Sequence, residues 1–325
     1  MTANNEVYKA IKEWKEQHIY TFHSSEQLNT FHDSIMIAFF QECFKEYKEE
    51  HGESPCEFSW FVLGSAGRFE QGYVSDQDHG IVFEADTLEA TNYFLTFGEK
   101  LSNGLVQLGY PYCDGKVMSS NPIWCKSFSG WADQINQWTL EESLDSIRYL
   151  QIFYDARVLV GKKKMINAFK KRILDQNLEH PRLLQRFLDN IRHIKKSVGV
   201  FGQLYVQQTG PYAGSIDLKH AAFLPYVNAI RLLAIKEGIY ESSTLSRFDC
   251  LRKLDTYNRE LKPYQDRFKT LLEFRIASYK KDDSYSESHY LSIKTLTQSE
   301  KKLIKQILKD GVRLHHFVQN CIEKG

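Results

Sequence analysis

What most constrains this chain is the placement of its strand signals. Two short β-rich runs, residues 58–63 and 80–83, lie close together in the first third, and almost nothing beyond Gly161 reads as a strand. Helical periodicity accounts for most of what remains. A small mixed sheet must therefore form early and be covered by helices, with a helical region after it. A length of 325 residues suggests two domains. The expected fold class is α+β: a small mixed-sheet module plus an all-α helical bundle. The expected boundaries are a helical lead-in at 1–55, a sheet module at 56–163 and a helical domain at 164–325.

The helical expectations rest on local signals. Ser24-x-x-Gln27 predicts a capping box, followed by an apolar face through Leu28, Phe31, Ile35, Ile37, Ala38, Phe40 and Phe44 and a stop at Gly52 and Pro55. Residues 87–108 and 144–161 read as helices, 110–122 as strand and loop, and 127–138 as an amphipathic stretch. Further helices are expected over 164–208, 216–238, 243–281 and 297–323. The last opens on Thr297-x-x-Glu300.

Composition removes several function classes. The 42 basic and 41 acidic side chains leave a net charge of +1, so no global field draws the chain to nucleic acid or a membrane surface. An apolar fraction of 42% with 14% aromatics excludes a disordered chain. No apolar run approaches the roughly 20 residues of a membrane helix, and the first residues do not resemble a signal peptide. A cytoplasmic protein is expected. The six cysteines show no CxxC pair and are expected to be free thiols.

Chemistry concentrates between the two strand runs. The first ends at Gly64-Ser65, where a missing side chain lets backbone approach a ligand. About a dozen residues later Asp76-Gln77-Asp78 opens the next run. Strand alternation sends Asp76 and Asp78 to one face and Gln77 to the other. Two hard carboxylates beside a glycine corner suit Mg²⁺ carrying a nucleoside triphosphate. A lone DxD near glycines is usually a solvated loop; the ordered combination with strands on both sides favours a site.

The run Gly64-Ser65-Ala66-Gly67-Arg68-Phe69-Glu70-Gln71, continuing to Ser75-Asp76-Gln77-Asp78, resembles the nucleotidyltransferase superfamily of DNA polymerase β. More narrowly, it is similar to the nucleotidyltransferases related to the PII uridylyltransferase. Residues 215–225, with Ala229-Ile230-Arg231 and Ser243-Thr244-x-x-Arg247, resemble the helical substrate-binding domain that follows this catalytic module. The resemblance implies that Gly64 and Ser65 contact phosphates and that Asp76 and Asp78 bind the metal, Mg²⁺ or Mn²⁺. It leaves Arg68 either on a triphosphate or pinning Glu70. The third carboxylate many members carry is not fixed. Asp114 is one candidate and the one assigned a catalytic place; Asp155 is the other, for which a structural ion pair with Arg157 or Arg148 is preferred. Lys116 is a further phosphate-contact candidate.

The implied activity is transfer of a nucleoside monophosphate from an NTP to an unidentified acceptor, a protein side chain or a small molecule. The rival is a nucleotide-sensing or protein-interaction module that keeps the fold without catalysis. A homodimer is left open; neither nucleic acid nor a membrane is expected as a partner.

Other conspicuous residues have plainer readings. The basic clusters at 162–164 and 170–172 are expected on a solvated helix face. Trp124, Trp131 and Trp138 recur every seven residues, two helical turns, which predicts a buried stripe. Asp217, Lys219 and Arg231 read equally as bundle ion pairs or acceptor contacts. His79 and His315-His316 read as structural. No P-loop, GxGxxG or GxSxG pattern is present.

Overall fold

A computed structural model describes residues 3–180, 182–195, 197–279 and 284–324. The chain divides into two compact units, Met1–Asp175 and Gln176–Gly325.

The first unit begins with α1 (Ala3–His18) and the long α2 (Ser25–His51). The Ser24 side chain accepts from the Gln27 amide at the start of α2, and Gly52 closes it at a φ of 86°. Then come β1 (Phe58–Val62), the single turn α3 (Gly64–Gly67), β2 (His79–Phe83) and α4 (Leu88–Gln107). The sheet is completed by β3 (Cys125–Ser127) and, after α5 (Phe128–Glu141) and α6 (Leu144–Tyr154), by β4 (Arg157–Val160). Strand order is β3-β2-β1-β4, with β2 and β3 parallel and the other pairs antiparallel.

Both faces of β1 are covered, and strand alternation decides which helix each side chain meets. Trp60 stacks on Phe40 of α2 at 4.9 Å between ring centroids, and Phe58 meets Phe94 of α4 at 4.9 Å. Phe61 points the other way, to Trp131 of α5 and Phe153 of α6, each at 5.8 Å. Trp124, Trp131 and Trp138 are all buried, with neighbouring rings 6.0–6.3 Å apart. The seven-residue stripe is core. α7 (Lys163–Glu179) adds Phe169 against Phe153 and Trp131.

One expectation in this unit is overturned. Residues 157–160 form β4 rather than the end of a helix. The run Arg157-Val158-Leu159-Val160, with β-branched Val158 and Val160, supplies a partner to an otherwise open β1 edge, and sheet pairing outweighs the helical spacing of Leu159.

The second unit contains α8 (Arg182–Ile191), β5 (Ser215–Asp217), α9 (Leu224–Lys236), α10 (Thr244–Leu251), α11 (Asn258–Ser278), β6 (Tyr290–Ser292) and α12 (Gln298–Glu323). α9 is apolar almost all round and is its core. α12 opens on a reciprocal Thr297–Glu300 capping box, as its sequence predicts. Two details depart from an all-α bundle. α8 stops at Ile191, and the helix expected to reach 208 gives way to turns in which Gly202, Gly210 and Gly214 hold positive φ. β5 and β6 pair antiparallel, three residues each, too short to leave a periodic signal. Among the described residues no helix is long and apolar enough to cross a membrane, and all six cysteines are free.

Candidate active site

The site is assembled where β1 ends and β2 begins. The Leu63 amide donates to the Asp78 carbonyl at 2.8 Å, locking the two strand ends together. At Gly64 the chain turns with a φ of 51°, and a Cβ there would fall 2.0 Å from Asp78 Oδ2. Only glycine accepts both the backbone and the approach of that carboxylate. The Ser65 hydroxyl lies 3.1 Å from the Ser75 hydroxyl, so the corner and the start of the acidic stretch meet.

The loop between them is pinned by buried polar contacts. Arg68 donates to Glu70 and to Asp155, each at 2.8 Å. Burial opposes the Arg68 charge, but these two carboxylates outweigh it and hold the guanidinium above its usual pKa. Of the two contacts expected of Arg68, the one to Glu70 within the loop is made. Asp155 is fully buried. The preferred reading of it as an ion-pair residue matches this contact, but the partner expectation is corrected. Arg157 instead makes a bidentate pair with Asp33, and Arg148 pairs with Asp145.

The lead-in helix α2 grips the same loop. Asn29 and the Gln71 backbone exchange two hydrogen bonds, at 2.7 and 3.2 Å. His32 Nε2 stands 2.9 Å from the Gly72 carbonyl and its Nδ1 2.8 Å from the Tyr110 hydroxyl. Since a carbonyl only accepts, Nε2 carries the hydrogen and Nδ1 accepts from tyrosine. Asn29 and His32, which hold the loop, and Asp33, which pairs with Arg157, are residues that sequence reasoning missed: it placed an apolar face on α2, and these positions carry no motif.

Residues 76–79 alternate as expected. Gln77 Nε2 donates to the Ser102 and Tyr110 carbonyls, which leaves Oε1 to accept from His79 Nε2 at 2.9 Å. His79 Nδ1 then accepts from Trp60 Nε1 at 3.2 Å and stands 3.0 Å from the Ser119 hydroxyl. The ring is neutral, and burial lowers its pKa to about 3. The structural reading of His79 fits these contacts.

Asp76 and Asp78 project from the opposite side. Their carboxylates and the Cys113 thiol each place one ligand atom within 4.8 Å of the others. Cys113 arrives by way of a parallel bridge between Gln77 and Tyr112, supported by the Gln77 amide donating to Pro111 and the His79 amide to Val117. Burial, then the charges of Asp78 and Asp76, push the Cys113 thiol pKa up. Asp114 and Lys116 follow on the turn closed by the Lys116 amide on the Cys113 carbonyl; both are exposed. The third donor grouped with the aspartates is therefore Cys113, one residue before Asp114, and Asp114 is not in the group. Its signal was present in Tyr112-Cys113-Asp114: a bridge beside Gln77 turns alternate side chains toward the aspartates. Only the pairing register says which.

The donor set fits a divalent cation. Two carboxylates and a sulfur can hold such an ion while leaving coordination positions for phosphate oxygens and water. Gly64 keeps the space that any side chain would take from Asp78. Residues 5–145, which enclose all of these donors, match the family model described as "Putative nucleotidyltransferase DUF294", and residues 181–322 match that of the "Putative nucleotidyltransferase substrate binding domain". The chain belongs to this nucleotidyltransferase family. The family match includes α1 and α2, so the helices that grip the loop are part of the family's own domain. Nucleotidyl transfer is the activity class the family description carries. No curated protein matches the chain.

In the second unit Asp217 lies on a cavity of about 520 Å³ with Lys195, His220, Asn228 and His315. Its carboxylate takes Lys195 at 3.3 Å and His220 Nδ1 at 2.9 Å; burial opposes its charge, but His220 and Lys195 hold its pKa below the usual range. Arg231 donates to Asn228 at 2.9 Å, and Lys219 lies over the Tyr285 ring. Of the equal readings, ion pairing accounts for the Asp217 contacts. His315 is buried, with Nε2 on the Ile191 carbonyl.

Proposed function

We propose that the chain transfers a nucleoside monophosphate from an NTP to an acceptor. The acceptor atom would attack the α-phosphorus, the bond from that phosphorus to the bridging oxygen would break, and pyrophosphate would leave. Asp76 and Asp78 would hold Mg²⁺ or Mn²⁺, and Gly64 and Ser65 would receive the phosphates at the corner. A bound divalent ion supplies charge neutralisation on the phosphate oxygens during in-line displacement. Arg68 and Asp155 keep the loop in place and stay out of the chemistry. Lys116, exposed on the turn after Cys113, is assigned to the phosphate tail, and Asp114 on that turn to accepting the acceptor's proton.

The reading is carried by one observation: two carboxylates lie together at a glycine corner where the missing Cβ leaves the space that one of them, Asp78, occupies. The test is a screen of ATP, GTP, CTP and UTP with Mg²⁺ or Mn²⁺, scored by thermal shift and by pyrophosphate release. Ligands that bind only the folded state raise its melting temperature. Asp76→Asn and Asp78→Asn should remove the metal-dependent thermal shift and lower pyrophosphate release steeply, without altering the circular dichroism spectrum. Unchanged metal-dependent turnover in the double variant would refute the assignment.

A second reading has its own support. The group's third donor is a thiol where many superfamily members carry a carboxylate, which favours a nucleotide-binding module that turns over slowly or not at all. A thermal shift with NTP and metal, but no pyrophosphate on any acceptor, selects that reading.

A further inference from the structure

We infer that Cys113 is the third protein ligand of the cation held by Asp76 and Asp78, and that its sulfur biases the site toward cations that accept thiolate over Mg²⁺. The inference rests on the reading of Asp76 and Asp78 as metal ligands and deepens it.

Geometry is the first support. Ligands of one ion bonded at about 2.3 Å for sulfur and 2.1 Å for oxygen stand roughly 3–4 Å apart. The three donor atoms already lie within 4.8 Å of one another, so a closure of about an ångström completes the set. They form the one group of three or more such side chains among the described residues.

The sulfur is also placed by backbone, not by a free rotamer on a floppy loop. The Gln77–Tyr112 bridge fixes the residue before it, and the turn from Cys113 to Lys116 fixes the residues after it. Gln77, between the two aspartates, is itself clamped by the Ser102 and Tyr110 carbonyls. Backbone pairing therefore joins the two segments that carry the three donors, and this favours preorganised ligation.

Comparison with the other thiols isolates the third support. Cys43 and Cys125 are fully buried and behave as small core residues. Cys56 accepts a hydrogen bond from the Ala85 amide, and among the described residues neither it nor Cys250 nor Cys321 stands in a group of three metal-ligating side chains. Cys113 is half-buried and has two carboxylates at ligand spacing. Soft thiolate disfavours Mg²⁺, which demands oxygen, and favours Mn²⁺ only modestly, Co²⁺, Zn²⁺ and Cd²⁺ strongly. On ligation the thiol proton passes to solvent.

The experiment uses the full chain titrated with Co²⁺, alone and with ATP present, and read by absorption spectroscopy. The wild type is expected to show a sulfur-to-cobalt charge-transfer band in the near ultraviolet together with visible cobalt bands. Cys113→Ser should lose the charge-transfer band and keep the visible bands, with Co²⁺ affinity reduced about tenfold or more, the scale on which even supporting residues of metal sites act. Its Mg²⁺ affinity should change by less than about threefold, and Cys113→Asp should strengthen Mg²⁺ binding. Circular dichroism and melting curves confirm that each variant is folded. Cobalt bands that depend on Asp76 and Asp78 but lack charge transfer, or that are unchanged in Cys113→Ser, overturn this inference and leave the proposed function standing. Cation binding indifferent to Asp76→Asn and Asp78→Asn, or no binding at all, overturns both.

Discussion

On one side of residues 76–79, Gln77 and His79 are buried among carbonyls, an indole and a hydroxyl, each donor meeting an acceptor. On the other, Asp76 and Asp78 bring like charges together beside a thiol. The two sides differ in purpose. Neutral, satisfied groups fix where the backbone runs, and the geometry they impose makes it possible to gather carboxylates that would otherwise repel. The satisfied side holds the backbone by hydrogen bonds, and the other side presents the carboxylates and the thiol.

The sharpest way to break that contrast is to unseat the holding side. Asp155→Ala leaves the buried Arg68 with Glu70 alone and should cost about 3 kcal/mol or more of stability, read as a lower urea midpoint. If instead stability holds while transfer disappears, Asp155 belongs to the chemistry and the division between the two sides must be redrawn. On the presenting side, Asp78→Asn should lower the transfer rate by about 10²–10³-fold, or 2.7–4 kcal/mol, while the urea midpoint stays put.

Gly64→Ala sharpens the comparison because it touches both sides. A methyl group 2.0 Å from Asp78 Oδ2, on a residue with a φ of 51°, should cost about 1–2 kcal/mol of backbone strain and weaken Mn²⁺ binding measured by calorimetry. The last effect is in pH, and it builds up gradually. The unfolded chain takes up a proton on His79 near 6.5, whereas the folded one resists until about 3. Stability is thus complete above 6.5 and falls by about 1.4 kcal/mol per pH unit as pH drops below it. His79→Gln, which retains a donor and an acceptor, should flatten that slope between pH 7 and 5 in denaturation curves.

Much of the presenting side was legible early, and little of the holding side was. Asp76 and Asp78 lie two positions apart at the mouth of a strand, and strand geometry alone puts them on one face. Asp114 shows the limit: the side chain of that segment that stands beside the two aspartates belongs to the residue before it, Cys113, because a single bridge to Gln77 sets the register. Asp155 shows another. Arginines 148 and 157 are its neighbours in sequence, yet its guanidinium comes from Arg68, 87 residues away.

The sequence by itself determined what short-range geometry can carry: the caps at Ser24 and Thr297, the buried tryptophan spacing, and the paired faces of residues 76–79. Each depends on backbone repeat over a few residues and needs no knowledge of the rest of the chain. Tertiary structure alone decided the partners, since Asn29 with Gln71, Arg68 with Asp155 and Cys113 with the aspartates join segments whose approach depends on chain topology and burial. Many arginines and cysteines are chemically equal candidates for such pairings, and only the folded chain brings one of them beside its partner.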